Sequence, residues 1–495
     1  MRYYRTGLIG LAAFFACAGL ARAATYHVAS TGSDSNSGSQ ASPWRTLQKA
    51  ANTVRAGDIV MVANGTYAGF QVTADGTAAS RIVFRAAGTS VVINSRNGST
   101  PDNVNIEGGN YVTVEGFTVN DAPRVGIRAV IATGVVIKGN RIQRSGLDGI
   151  LTGYTPQIQI LDNIVSGSAQ EHGIYVSNSN TASDNPVVRG NECFDNNQNG
   201  MQFNGDCWED GDGVISGAVI EENIIHHNNW KGFSLISLQN STIRNNLVYE
   251  NGLSAGAGGI HLADQPNCGK PSNNNVVVNN TVYEPRIACI RLTNGSTANK
   301  LFNNVLVASS LDRTIADESG GNYIDTASNL RRTSKSGLFV SSTDYHLATS
   351  SPALNIGKTS FQSASAPMMD IDGIARPQGA QHDAGSYEKG GTATPVGDTP
   401  SAGIVLEQNA PNPFGSTTRI AFGIDANAQA RVSLEVFDAV GRRVRTLVTD
   451  ELVSGTQTVG WDGRDDRGQA VASGVYFYRL TAPQGVVTRR MTLVR

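Results

Sequence analysis

An all-β fold, wound as a parallel solenoid, is what the sequence predicts, and three observations carry it. The chain of 495 residues is rich in Gly, with 55, and low in charge, at 16%. That balance suits a turn-rich β protein and gives room for two or more domains. An Asn-bearing segment recurs as VVIKGNRI, IQILDNIV, VVRGNECF, VIEENIIH, STIRNNLVY, NVVVNNTVY and KLFNNVLV. Its aligned residues are Asn140, Asn163, Asn191, Asn223, Asn246, Asn280 and Asn304, spaced 23, 28, 32, 23, 34 and 24 residues apart. A minimum near 23 with variable additions marks a repeat that carries inserted loops. Within each copy a second segment alternates at period two: VGIRAVI, DGILTGY, HGIYVSN, NGMQFNG, KGFSLIS, GGIHLAD and ACIRLTN. Short half-buried strands turning at Gly and Asn satisfy both patterns, with coils stacked about 4.8 Å apart. Buried Asn side chains can hydrogen-bond along such a stack, and Asn tolerates a left-handed bend. Parallel crossovers favour the right-handed form. A leucine-rich repeat is disfavoured, because Leu does not dominate and no helix recurs.

Taken in order, residues 1–23 read as an export signal: basic Arg2 and Arg5, an apolar run from Gly7 to Leu20, and a small-x-small site at Ala21-Arg22-Ala23. The run is short for a membrane span, and no second one follows, so no transmembrane segment is expected. SPWRTLQKAANTVRAGD, with Ser42 before a Pro and apolar Trp44, Leu47, Ala51 and Val54, predicts a short amphipathic helix that caps the first coil. Strands are expected in DIVMVANGTY, RIVFRAAG and VVINS, and the solenoid domain is taken as residues 24–388. Residues 389–403 read as a Gly/Thr/Pro linker. Residues 404–495 hold short alternating strands broken by Gly, Asn and Pro, the pattern of a small β-sandwich.

Two resemblances add to this. YHVASTGSDSNSGSQASPWRTLQKAANTVRAGDIVMVANGTY resembles the opening of secreted right-handed parallel β-helix proteins, many of them polysaccharide lyases. DYHLATSSPALNIG and DIDGIARPQGAQHDAGSYE look like the closing segment of the same group. In the C-terminal part Asn412, Pro413 and Phe414, then FDAVGRRVRTL and WDGRDDRGQAVASGVYFYRL, resemble the sorting domain of the bacterial type IX secretion route. A passive immunoglobulin-like spacer is the alternative there. The resemblance implies type IX secretion machinery as a partner and a secreted or outer-membrane, cell-surface location. A monomer is expected.

The formal net charge is −2, and loss of Arg2, Arg5 and Arg22 with the signal makes the mature chain more acidic. Broad electrostatic binding of nucleic acid is therefore not expected. Cys193, Cys207, Cys268 and Cys289 remain after the signal, with no CxxC pair to suggest zinc. Cys207 and Cys268 follow the same strand position two coils apart, so they are expected to lie close, within bonding reach. Cys193 falls in an inward column beside Val165 and Ile225 and should be a buried thiol.

A filled solenoid leaves only its outer surface for a site. If Ile127, Ile150, Ile174, Met201, Phe233, Ile260 and Ile290 face inward, the outward column is Arg128, Leu151, Tyr175, Gln202, Ser234, His261 and Arg291. Asp148, His172, Asn199 and Lys231 stand at the bend before it. The column then predicts a groove for a few sugar units of a polysaccharide, lined by Tyr175, Gln202, Asn204 and Trp208. Lys231 is the first choice for a catalytic base, with His172, His261 and Arg291 as catalytic partners. A base acting α to a uronate carboxylate needs a neutral amine, hence burial or a nearby cation. The loop GDCWEDGDG holds Asp206, Glu209, Asp210 and Asp212, and Asp206, Asp210 and Asp212 are the candidate calcium ligands; a solvated acidic loop is the alternative. His226 and His227 lie at another bend and could bind a metal, but as adjacent residues they are expected to point in different directions. The expected function is a lyase or C5-epimerase on uronate polymers, or else a non-catalytic surface glycan-binding or adhesion protein.

Overall fold

The computed structural model describes residues 23–177, 184–207, 211–254, 256–265, 268–390, 404–406, 409, 414–424, 429–438, 443–472, 474–482 and 485–493. The predicted signal at 1–23 falls almost wholly outside them, as do most of the predicted linker, Trp208, Glu209 and Asp210. Three parallel sheets of 12, 10 and 11 strands wrap one core. Strands Ile127–Val130, Val136–Lys138 and Arg141–Gln143 form one coil, and each pairs with its counterpart in the next. The inward set Ile127, Ile150, Ile174, Met201, Phe233, Ile260 and Ile290 is fully buried. Each such side chain contributes roughly 1.5–3 kcal/mol by leaving water. A one-residue slip would turn that whole row outward, so the apolar row fixes the register.

The Asn column is a continuous hydrogen-bonded ladder. Asn140 Nδ2 donates to Asn163 Oδ1 at 3.0 Å, and the same bond repeats through Asn191, Asn223, Asn246, Asn280 and Asn304 to Asn329. Each Oδ1 also accepts the backbone N–H of the preceding ladder Asn, and each Nδ2 reaches a strand carbonyl. The left-handed bend falls one residue earlier than the sequence suggested. Gly139, Asp162, Gly190, Glu222, Asn245, Asn279 and Asn303 take positive φ, which turns each following Asn inward. A second ladder runs Ser168, Asn196, Asn228, Asn251 and ends on the buried carboxylate of Glu284.

The N-terminal helix is shorter than predicted. It covers only Leu47–Ala51, capped by Thr46, whose hydroxyl accepts the Lys49 N–H. Trp44 lies outside it, bridged to Val28 and stacked on Tyr26 at 4.6 Å. Asp34 accepts from the Arg45 and Thr46 backbones, and these bonds hold residues 45–46 out of the helix. Leu47, Ala50 and Ala51 still bury against the first coil, so the helix covers its open edge. After the last coil strand, Leu330–Arg332, the chain runs back along the outside of the third sheet. Leu338, Tyr345, Leu347 and Tyr387 bury there against Leu247, Val305 and Val307. Asn245, Asn279 and Asn303, facing out at their left-handed bends, bond carbonyls of Met369, Asp383 and Lys358. A fully buried Arg376–Glu388 pair at 2.9 Å closes this strap. The C-terminal part holds a three-stranded and a four-stranded sheet, each with antiparallel strand pairs, enclosing Leu434, Val436, Trp461, Tyr478 and Met491.

Candidate functional site

Pairing in the ten-stranded sheet places the predicted outward column in strict register. Arg128 pairs Leu151, then Tyr175, Gln202, Ser234, His261 and Arg291 follow coil by coil. Asn204 lies in the neighbouring outward column, paired with Ile236. From the His172 coil to the His261 coil is three steps, roughly 14 Å.

One edge of this floor is a relay of side chains bonded to the next coil's backbone. Asp148 accepts the His172 N–H at 3.0 Å, His172 Nδ1 accepts the Asn199 N–H at 3.3 Å, and Asn199 Oδ1 accepts the Lys231 N–H at 3.1 Å. Lys231 ends the relay, because an ammonium or amine at that position has no carbonyl-like acceptor to offer onward. Its Nζ turns over the floor instead and donates to Ser234 Oγ at 3.1 Å. Burial, with the Arg291 guanidinium adding to it, pulls the Lys231 amine down to about 8.

The two histidines are buried and neutral. Burial and the Lys231 charge hold His172 down at about 4. His172 stacks on Tyr175 with ring centroids 5.9 Å apart, while Asn199 Nδ2 donates to Gln202 Oε1 at 3.0 Å. His172 thus helps orient the Asn199 and Gln202 amides and holds no positive charge. His261 is lowered to about 3 by burial, Lys231 and Arg291; its Nε2 lies 2.9 Å from Thr293 Oγ1, and its buried Nδ1 has no partner. The cation beside Lys231 is therefore Arg291 rather than an imidazolium. Arg291 spends Nε and Nη2 on Glu318, at 2.8 and 3.1 Å, so only the rest of its guanidinium is left for other partners. Burial raises Tyr175 to about 12 despite its bond to Asn204, which keeps its hydroxyl a proton donor. Asp148 is pushed up to about 7, chiefly by burial, with the nearby Glu171 charge adding to it. Sequence reasoning named Asp148 and Asn199 only as bend residues; their signal was the shared position before each Gly-Ile step. It missed Trp230, exposed directly before Lys231.

The far edge carries the loops after Asn204 and Ala263. Cys207 and Cys268 lie close, as the spacing predicted, with Cα atoms 5.9 Å apart, and a disulfide between them joins the loops. Cys193 is a buried thiol, paired in the sheet with Val165 and Ile225. Asp206 adds negative charge near Tyr175, and Asp212 Oδ1 accepts the Val214 N–H at 3.0 Å. Among the described residues no group of three or more His, Cys, Asp or Glu side chains is arranged to hold a metal ion. With Glu209 and Asp210 outside them, the calcium assignment keeps only Asp206 and Asp212. No helix among the described residues is long and apolar enough to cross a membrane.

The fold and the family agree. The chain belongs to the right handed beta helix region family, matched over residues 60–207 and 182–334. Residues 408–485 match the FlgD Ig-like domain. In that part the chain is similar to basal-body rod modification protein FlgD of Salmonella typhimurium, 37% identical over 70 residues, 14% of this chain and 30% of that protein. The match to Salmonella typhi FlgD has the same extent, so the chain spans less than a third of either relative. Among solved structures, pectate lyase Pel9A superposes with a TM-score of 0.55 at 17% identity, covering 75% of this chain and 98% of that one. That likeness is one of fold. An alginate lyase from Paenibacillus sp. str. FPU-7 gives a TM-score of 0.41 at 20% identity, covering 62% of this chain and 97% of that one.

Proposed function

We propose that this chain is a polysaccharide-active protein, a lyase that cleaves uronic-acid-containing polymer by β-elimination in the groove of the ten-stranded sheet. One observation carries the reading: an amine drawn down to about 8 stands over a line of sugar-facing amides and hydroxyls, beside Arg291. Pel9A, whose solved fold this chain shares over most of its length, is by name a pectate lyase. In the proposed reaction Lys231 Nζ takes the proton α to the uronate carboxylate. The electron pair forms a carbon–carbon double bond, the glycosidic C–O bond breaks, and the leaving oxygen takes a proton from the groove or solvent. Arg291 and the Asn199, Gln202 and Asn204 amides stabilise the charge that develops on the carboxylate. Asp206 and Asp212, together with Asp210 outside the described residues, are proposed to bind calcium.

The test is a panel of pectate, alginate and glycosaminoglycan substrates, read by absorbance of the unsaturated product, with calcium and with chelator. Product from at least one supports the lyase. Configuration change without cleavage would make it an epimerase. Glycan binding with neither would overturn the catalytic reading. Because Lys231 acts only when neutral, the activity is expected to rise with pH, reach half its maximum near 8 and then level off. A rate that falls as pH climbs through 8 would exclude a neutral amine base.

Residues 404–495 are proposed to direct sorting through the type IX route to the cell surface. Deleting them should leave the protein inside the outer membrane, read by fractionation. Unchanged delivery to the surface would leave the spacer reading instead.

A further inference from the structure

On the outer face of the third sheet, away from the groove, His226 and His227 meet in a way their adjacency does not suggest. His227 takes a left-handed φ of 54°, which swings its ring onto the same side as that of His226 and corrects the expectation of opposite directions. The His226 ring is clamped between Phe194 and Tyr249, with centroids 5.0 and 4.8 Å away and planes within 3° and 7°. His226 Nε2 lies 3.2 Å from Glu192 Oε1, and His227 Nε2 lies 3.1 Å from Glu250 Oε2. A carboxylate only accepts, so each Nε2 carries its hydrogen. With both rings neutral, both Nδ1 atoms are then left as lone pairs, 2.7 Å apart with the rings at 90°.

Two acceptors at that distance repel unless a proton or a metal ion lies between them. We infer that His226 Nδ1 and His227 Nδ1 form a chelating pair for a divalent first-row transition-metal ion. With metal–nitrogen bonds of about 2.0–2.1 Å, a donor spacing near 2.7 Å subtends an angle close to a right angle, which suits the tetragonal geometry of copper(II) or nickel(II). The supporting shell is present: each imidazole is oriented by a carboxylate on its other nitrogen, the usual partner of a metal-bound histidine. Glu192, Glu250 and the nearby Asp195 also offset the charge of a bound cation. Water completes the coordination, and the half-exposed His227 side chain gives the ion a way in.

The test uses the metal-free full chain at pH 7.5 with copper(II), read by electron paramagnetic resonance, and nickel(II), read by calorimetry. One ion per chain is expected, with hyperfine splitting from two nitrogens. His227→Asn keeps a residue that tolerates the left-handed bend, and His226→Phe keeps the aromatic stack. Each should weaken binding at least tenfold. His346→Gln, whose two ring nitrogens are already held by Asp344 and Asp372, should leave it unchanged. Absence of stoichiometric binding at 100-fold excess of chain over background metal, or binding that survives both variants, would overturn the site and leave the pair sharing a proton.

Discussion

Lys231→Ala is expected to remove turnover by roughly 10²–10⁴-fold or more while substrate binding changes little, the range that loss of a positioned base gives. The floor proposed to hold a sugar chain does not depend on the amine. Gln202 is set by Asn199 and His172, and Asn199 keeps its contacts through a backbone N–H that any residue at 231 would supply. Lys231→Arg is the sharper variant. It retains charge and length, but a guanidinium does not lose its proton near neutral pH, so the variant should bind polymer and fail to cleave it. Single-turnover rates alongside equilibrium binding of the same uronate polymer check both. If Lys231→Arg kept a tenth of the wild-type rate, Lys231 would be a charge donor to the substrate and not the base.

The solenoid was legible because a repeated coil writes the same constraint many times. Asn at the ladder and a large apolar residue at the step that usually follows a Gly recur from copy to copy, so one residue's ambiguity is settled by its neighbours. The outward column followed directly, since side-chain direction in a strand has period two. The bend was harder to read. The ladder Asn and its left-handed neighbour are adjacent in the sequence, and both belong to residue types that tolerate positive φ. Glu222, an ordinary helix former at that same step, shows that the coil rather than the residue imposes the bend. The roles of His172 and His261 were not legible at all. A histidine's charge depends on burial and on which cations reach it, and here Lys231 and Arg291 come from coils one or two steps away. The metal-binding geometry of His226 and His227 was hidden for the same reason as the bend: one positive φ reverses a side chain's direction.

Asn223→Ala is expected to destabilise the solenoid by about 3–6 kcal/mol, far beyond an ordinary surface change. Asn223 is fully buried, and its Oδ1 accepts both the backbone N–H and the side-chain N–H of Asn191, each at 3.0 Å. Its Nδ2 donates to Val188 O and to Asn246 Oδ1. Alanine leaves two donors of Asn191 facing a methyl group, at about 1–3 kcal/mol each, with a small cavity added. Asn223→Asp separates hydrogen bonding from packing. It keeps the shape and the acceptor for Asn191, but its second oxygen faces Val188 O and Asn246 Oδ1, both acceptors. Burial and that contact should raise its folded pKa, as burial raises Glu284, at the end of the second ladder, to about 8. A group whose folded pKa is raised gives its full stabilisation below the unfolded carboxylate value near 4, and loses it as pH climbs through the folded value. The aspartate variant should therefore match the wild type most nearly at acid pH and fall furthest below it above pH 8. Denaturant unfolding of both variants and the wild type at pH 4.5, 7 and 9, followed by the far-ultraviolet β signal, measures this. An aspartate variant as stable as the wild type at pH 9 would mean that water enters the ladder and satisfies it, and the column would then be a bend marker and not a hydrogen-bonded spine.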